Sequence, residues 1–136
     1  MRRLIESKVR RGELLAVDVG EEHWARPETL EARLEPGSER VHILSPFDPL
    51  VHQRKRLRLF FDYEHRFEAY VPKNKRVFGY FAQPVLVGDE IAAVVDLKTD
   101  RVRQKLLVQQ WTWVSKASRR LRKRLIEEAL HRFERF

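Results

Sequence analysis

Apolar residues recur along this chain with two different periods, and each change of period marks an element boundary. Leu4, Ile5 and Val9, with the stem of Lys8, form the stripe of a short helix over 2–11, which Gly12 is placed to end. Residues 13–19 alternate as a strand does, Gly20-Glu21-Glu22 reads as a turn, and His23-Trp24-Ala25 as a returning strand. Pro27 opens a second short helix, with proline at its favoured first position and glutamates near the positive end of the dipole. Pro36-Gly37-Ser38 breaks that helix and serves as a linker.

Beyond the linker, Asp48 stands where its carboxylate can cap a helix that starts at Pro49 and runs to about residue 61. Leu50, Leu57 and Phe60–Phe61 face inward on that helix, and Arg54, Lys55, Arg56 and Arg58 face outward. Four strands are expected over 67–71, 77–87, 90–98 and 105–114, with Gly88-Asp89 as a two-residue hairpin connection. Connections this short make the sheet antiparallel. Ile91, Ala93, Val95 and Leu97 form one apolar face at period two. Ser115 is expected to cap a last helix whose stripe is Ala117, Leu121, Leu125, Ala129 and Phe133. The fold class is thus α+β, with a helix-and-hairpin segment over 1–40 and an α+β domain over 41–136. The sheet of the latter is expected to be twisted, with helices flanking it and packed on one face.

Charge sharpens this division. The net charge is +8, yet residues 1–40 carry 8 basic and 9 acidic side chains whereas residues 41–136 carry 20 and 11. All the excess lies beyond the linker, which points to a polyanion and above all to nucleic acid, although a merely soluble basic domain would share the composition. The chain has no cysteine, so disulfides, thiolate metal sites and cysteine nucleophiles are excluded. No apolar run reaches the length of a membrane span, and the expected location is the cytoplasm, with nucleoid association.

Two basic clusters stand out. Lys116, Arg119, Arg120, Arg122, Lys123 and Arg124 crowd the start of the last helix, where cations oppose the helix dipole. Lys73, Asn74, Lys75 and Arg76 form a basic tip between two expected strands. Either can reach phosphates; either can equally be a solvated face or a guarded strand edge. Alternation also places Glu68 and Tyr70, Phe78 and Tyr80, and Asp96 and Lys98 at matched parities. A sheet face holding Glu68, Tyr70, Tyr80 and Asp96 would position an extruded base or activate water, unless it is a half-solvated face with salt bridges. Asp48 has its own structural reading as a cap. The five histidines show no metal-ligand spacing, no glycine-rich phosphate loop exists, and Ser45 has no histidine at a motif distance, so no cofactor, no metal and no catalytic residue is assigned. Trp111 and Trp113 share a strand face and belong to the core rather than to a stacking surface.

Three segments in order carry a resemblance. Leu44-Ser45-Pro46-Phe47-Asp48-Pro49-Leu50 with Arg54 comes first. Glu68-Ala69-Tyr70-Val71-Pro72 follows and leads through Lys75-Arg76 to Gly79-Tyr80, and Asp96-Leu97-Lys98-Thr99-Asp100-Arg101 closes the set. Together they resemble the C-terminal half of the bacterial winged-helix DNA glycosylases that repair alkylated and crosslinked DNA, the AlkZ/YcaQ type. His52-Gln53 stands where that family usually has Trp-Asp, and Phe78 and Phe81 stand where tyrosines are frequent. The resemblance implies tandem winged helices, of which residues 1–25 would be the last helix and wing of one. It also implies a basic surface for double-stranded DNA, contacted by Arg54, Lys55, Arg56, Lys73, Lys75, Arg76, Lys98, Arg101, Lys116, Arg119, Arg120, Arg122 and Lys123. The family's catalytic Gln-hydrophobic-Gln or Gln-hydrophobic-Asp motif has no counterpart here, since Gln109-Gln110 lacks the spacing. The chain is therefore expected to bind duplex phosphates without cleaving glycosidic bonds alone, its catalytic segment lying upstream. The apolar face of residues 1–25 would be covered by the rest of the chain or by another copy, and an N-terminal partner fragment or self-association is expected beside DNA. A stand-alone nucleic-acid-binding module and a protein-interaction scaffold are the alternatives.

Overall fold

The computed structural model describes residues 1–33, 39–117 and 119–135. The expected linker at 36–38 lies outside them. The chain divides into two compact units, Met1–Pro36 and Gly37–Phe136.

In the first unit, α1 (Arg2–Arg10) is followed by the antiparallel pair β1 (Leu15–Asp18) and β2 (Glu22–Ala25) and by the short α2 (Pro27–Glu31). Gly12 ends α1 as expected: at φ +72 it lets its own amide reach the Val9 carbonyl and the Glu13 amide reach the Lys8 carbonyl. That is the paired backbone bonding of a Schellman stop. No described residue of this unit is buried. Ile5, Val9, Ala16 and Trp24 line an open groove of about 350 Å³ between α1 and the hairpin.

The second unit is built on a four-stranded antiparallel sheet of order β3-β4-β5-β6, namely Val41–Ile43, Ala82–Val87, Glu90–Asp100 and Lys105–Trp113. The number of strands is the one expected, but their identity differs. Residues 67–71 and 77–81 form no strand, and Val41–Ile43 takes the edge position beside Ala82–Val87. Gly88-Asp89 joins β4 to β5 as expected, and Gly88 at φ +62 fits the first central position of a type II′ turn.

Helices cover both faces of this sheet, not the single face expected. On one side Val51 of α3 (Pro49–His52) and Leu57 of α4 (Arg54–Phe61) pack with Ala82, Ile91 and Val94. On the other, Ile126 and Leu130 of α5 (Arg119–Phe133) pack with Val85, Val87, Ala93 and Val95. Residues 91–96 of β5 are accordingly all buried. The expected period-two face fails at Ile91 because Val85 pairs with Ala93 while Leu86 pairs with Ile91. Ala92 is thus an extra residue, and a one-residue slip moves Ile91 to the opposite face. The carbonyl of Ala92 then accepts the amides of Val114 and Ser115, which pins the start of the connection to α5.

Three helix expectations are also corrected. The helix over 49–61 is broken at Gln53, whose ψ is 73. In one continuous helix Val51 and Leu57 would point about 120° apart, so the break lets both reach the same core. The stripe of α5 is rotated as well. Ile126, Ala129 and Leu130 are buried, whereas Leu121 is 49% exposed and Phe133 is 46% exposed. Ser115 accepts the amide of Ala117 and lies ahead of α5 rather than at its cap.

This packing predicts that Ile126→Ala costs about 2–5 kcal/mol, the usual range for emptying a buried aliphatic site, while Leu121→Ala stays near ~0.5 kcal/mol. Urea unfolding of the two variants measures both; equal losses would contradict the observed rotation of α5.

Candidate nucleic-acid interface

The segments that carry the sequence resemblance meet in one place, and backbone hydrogen bonds explain why. Ser45 Oγ accepts the Phe47 amide and Asp48 Oδ1 accepts the Leu50 amide at 2.8 Å, so the Ser45–Pro49 stretch is a tight turn that caps α3. Glu68 Oε2 accepts three successive amides, from Val77 at 2.9 Å, Phe78 at 2.7 Å and Gly79 at 3.4 Å. Asp96 continues the series: Oδ2 accepts the Tyr80 amide at 2.7 Å and Oδ1 the Phe81 amide at 3.2 Å. Both carboxylates are buried. Gly79, at φ +123, lies so close to Asp96 that any Cβ there would overlap the carboxylate. Glutamate, glycine and aspartate are therefore one device, which holds residues 77–81 against the sheet.

The expected face of Glu68, Tyr70, Tyr80 and Asp96 does not form as a sheet face. Glu68 lies off any strand, Tyr70 is 93% exposed in a turn, and Tyr80 follows Gly79 in the held loop. What the loop builds is an open cleft of about 740 Å³. Lys73 and Arg76 line one side with Tyr80, and Asp96, Lys98 and Gln109 line the sheet side. Arg76 is fixed in place: its Nε donates to the Val71 carbonyl at 2.8 Å, and its guanidinium lies 4.9 Å from the Tyr80 ring centre. Gln110 donates to the Val77 carbonyl and ties the loop to β6. Gln109 is the extra residue where Asp96 pairs with Gln110 and Leu97 with Val108. Bulges re-aim side chains in this way, and no sequence signal marked this one.

Of the other expected contact residues, Arg54, Lys55 and Arg56 are exposed in the first turn of α4, which holds no acidic residue. That helix covers the same sheet face as Asp96, which shares the parity of Val94. Lys75 is exposed in the 3-10 turn Lys73–Lys75, and Arg101 in the turn after β5. Lys116, Arg119, Arg120 and Lys123 are exposed at or before the start of α5, across the sheet from α4. Arg122 is committed internally: it meets Glu90 at 2.7 Å and donates to Ser115 Oγ, with its side chain 15% exposed. The Ser115 hydroxyl and the Arg122 guanidinium hold the Glu90 carboxyl below its ordinary value. The thirteen residues are thus divided between two faces. Sequence reasoning missed Phe47, Phe67 and Phe81, whose rings form a closed triangle with centres 5.3 to 5.9 Å apart. Trp111 and Trp113 pack against the α5 side of the core, as expected.

Behind the held loop lies a second buried group, with the Tyr63 hydroxyl 3.1 Å from His65 Nδ1. Burial pushes the Tyr63 hydroxyl up, and the Glu68 charge adds to that. Burial lowers His65, with Arg54 acting in the same sense, against the Glu68 charge and the Ala82 backbone. Burial works against ionisation of Glu68, but the amides of Phe78, Val77 and Gly79, together with Arg66, outweigh it and hold the carboxyl below 4.5.

Stability should therefore fall with pH in two stages. Below the ordinary histidine value of about 6.5, the unfolded chain binds a proton that folded His65 resists, so stability drops as the pH falls. Glu68 and Glu90 contribute stability that is present above 4.5 and is lost as pH falls through their depressed folded values. Urea midpoints measured against pH should show both stages, with the first removed in His65→Gln; a midpoint that stays level through the histidine range contradicts the assignment.

Among the described residues no group of three potential metal ligands occurs, and no helix is long and apolar enough to cross a membrane. No solved structure matches the chain with significance. Residues 1–136 match the family described as DNA glycosylase AlkZ-like. The match spans the carboxylate-held loop, the capped turn and the sheet that joins them, and this chain belongs to the AlkZ-like DNA glycosylase family.

Proposed function

We propose that this chain is the duplex-binding portion of a DNA glycosylase-like repair protein, and that it grips the phosphate backbone without glycosidic chemistry of its own. The observation that carries this reading is the cleft at the held loop. Lys73, Arg76 and Lys98 converge on it, and both oxygens of its acidic residue, Asp96, are occupied by backbone amides. Cations at the lip of a concave surface, with Arg76 held in place, suit a row of phosphates, which contributes affinity without reading bases. The exposed first turn of α4 adds Arg54, Lys55 and Arg56 on the same side of the sheet, where an external anion would offset their opposition to the helix dipole. Family membership supports DNA as the polyanion.

Glu68 and Asp96 are read as loop-holding groups, because a carboxylate that accepts several amides is poorly placed to take a proton from water. No Gln-x-Gln or Gln-x-Asp spacing occurs in the sequence, which fits an incomplete catalytic apparatus. The N-terminal unit, a helix followed by a β-hairpin, is read as the end of a winged helix. Its apolar groove at Ile5, Val9 and Trp24 is to be covered by an N-terminal partner fragment or a second copy. A light-scattering mass of one chain at every concentration would remove self-association. The cytoplasm, at the nucleoid, is the location this reading implies.

Fluorescence anisotropy on a paired duplex over a salt series tests the reading. Affinity should fall steeply with salt, and Lys73→Ala with Lys98→Ala should reduce the log–log slope by about 2. The same protein should release no methylated purine from alkylated duplex. Binding indifferent to salt, or base release, would overturn the corresponding half of the proposal.

A further inference from the structure

Beside the cleft the chain exposes aromatic rings that the fold does not use. Phe47 is 66% exposed although it touches both Phe67 and Phe81, and Tyr70 is 93% exposed with its ring edge-on to Phe67 at 6.1 Å. The inner rings, Phe67 and Phe81, are half-buried. They stand on the same device as the cleft, since the Phe81 amide is bonded to Asp96 and Phe67 precedes Glu68. The four rings, tilted or edge-on to one another, form an apolar cluster whose outer members face water. Cations flank it: Arg66 is exposed next to Phe67, and Lys73 follows Tyr70 by one short turn. Of the acids in these segments, Asp48 and Glu68 are bonded to backbone amides, while Glu64 is exposed two residues before Arg66.

We infer that Phe47 and Tyr70, backed by Phe67 and Phe81, form a stacking platform for unpaired nucleobases, so that the chain favours DNA in which a duplex adjoins a single-stranded stretch. This inference rests on the cleft's holding duplex phosphates and extends it to the kind of DNA preferred. In paired DNA the π faces of bases are covered by their neighbours, and such a platform has nothing to stack on. Unpaired bases offer free faces, and a cationic border beside aromatic rings is the combination that holds single strands with little sequence preference. The charge of the border favours a polyanion over an apolar peptide, and the capped turn before α3 fixes Phe47 without relying on its ring.

The test compares three labelled DNAs at one salt concentration by anisotropy: a paired duplex, the same duplex interrupted by a short single-stranded gap, and the free single strand. The wild type should bind gapped DNA about tenfold more tightly than paired duplex, as expected for one or two stacked bases. Phe47→Ala and Tyr70→Ala should abolish that preference while leaving affinity for paired duplex within about twofold. Tyr70→Phe, which keeps the ring, should retain it. Both rings are largely in water, so the alanine variants should unfold at the wild-type urea midpoint. Equal affinity of the wild type for paired and gapped DNA overturns the platform and leaves duplex binding standing. A preference that persists in both alanine variants also overturns it and leaves the rings to a different occupant, such as a peptide. Failure to bind any of the three DNAs overturns duplex binding and the platform together.

Discussion

Two buried carboxylates gather five consecutive backbone amides, and the character of the larger unit depends on that interaction. Residues 77–81 lie in no helix or strand, so their N–H groups would otherwise need water. Glu68 takes the first three and Asp96 the last two. Hydrogen bonds to a charged acceptor contribute about 1.5–3 kcal/mol each, and a buried carboxylate without them would cost several kcal/mol. Each side of the arrangement therefore requires the other. Gly79 is part of the constraint because only a residue without a Cβ fits between the loop and Asp96.

The consequences run outward in both directions. Inward, Phe78 is anchored in the core with Leu44, Leu50 and Phe61, and the loop covers the end of the α4 side of the sheet. Outward, Arg76 and Tyr80 are presented at the lip of the cleft, and Phe81 is presented to Phe47 and Phe67. A cationic lip and an aromatic cluster thus share one support. On the far face, a separate knot of Glu90, Ser115 and Arg122 joins the sheet to α5. Because that knot takes up Arg122, the basic start of α5 is partly structural, and the cleft is the better place to seek an anion.

Local signals in the sequence were legible wherever a single residue type decides the conformation. Gly12 stops its helix, Asp48 caps at Leu50, and Gly88-Asp89 turns β4 into β5. The α+β class, the antiparallel pairing and three of the four strands of the larger sheet followed from such signals. Errors arose where the outcome depends on partners far along the chain. Residues 67–71 and 77–81 have strand-like composition, but the Glu68 and Asp96 carboxylates take up the amides of 77–81 that a ladder would have used, and the Val71 amide turns back to the Glu68 carbonyl. The bulges at Ala92 and Gln109 shift the register by one residue without leaving a mark in composition, so Ile91 changes face and Gln109 enters the cleft. Glu68, Tyr70, Tyr80 and Asp96 read from the sequence as chemistry on one sheet face, but Glu68 and Asp96 frame a loop, Tyr80 stands at its lip and Tyr70 is exposed in a turn.

Amide hydrogen exchange measured residue by residue tests the central interaction most directly. The account predicts that the amides of Val77 through Phe81 exchange slowly, with protection comparable to that of the sheet, although no strand includes them. In Glu68→Gln, protection at Val77, Phe78 and Gly79 should fall, while Tyr80 and Phe81 keep theirs through Asp96. Rapid exchange of all five amides in the wild-type protein would contradict it.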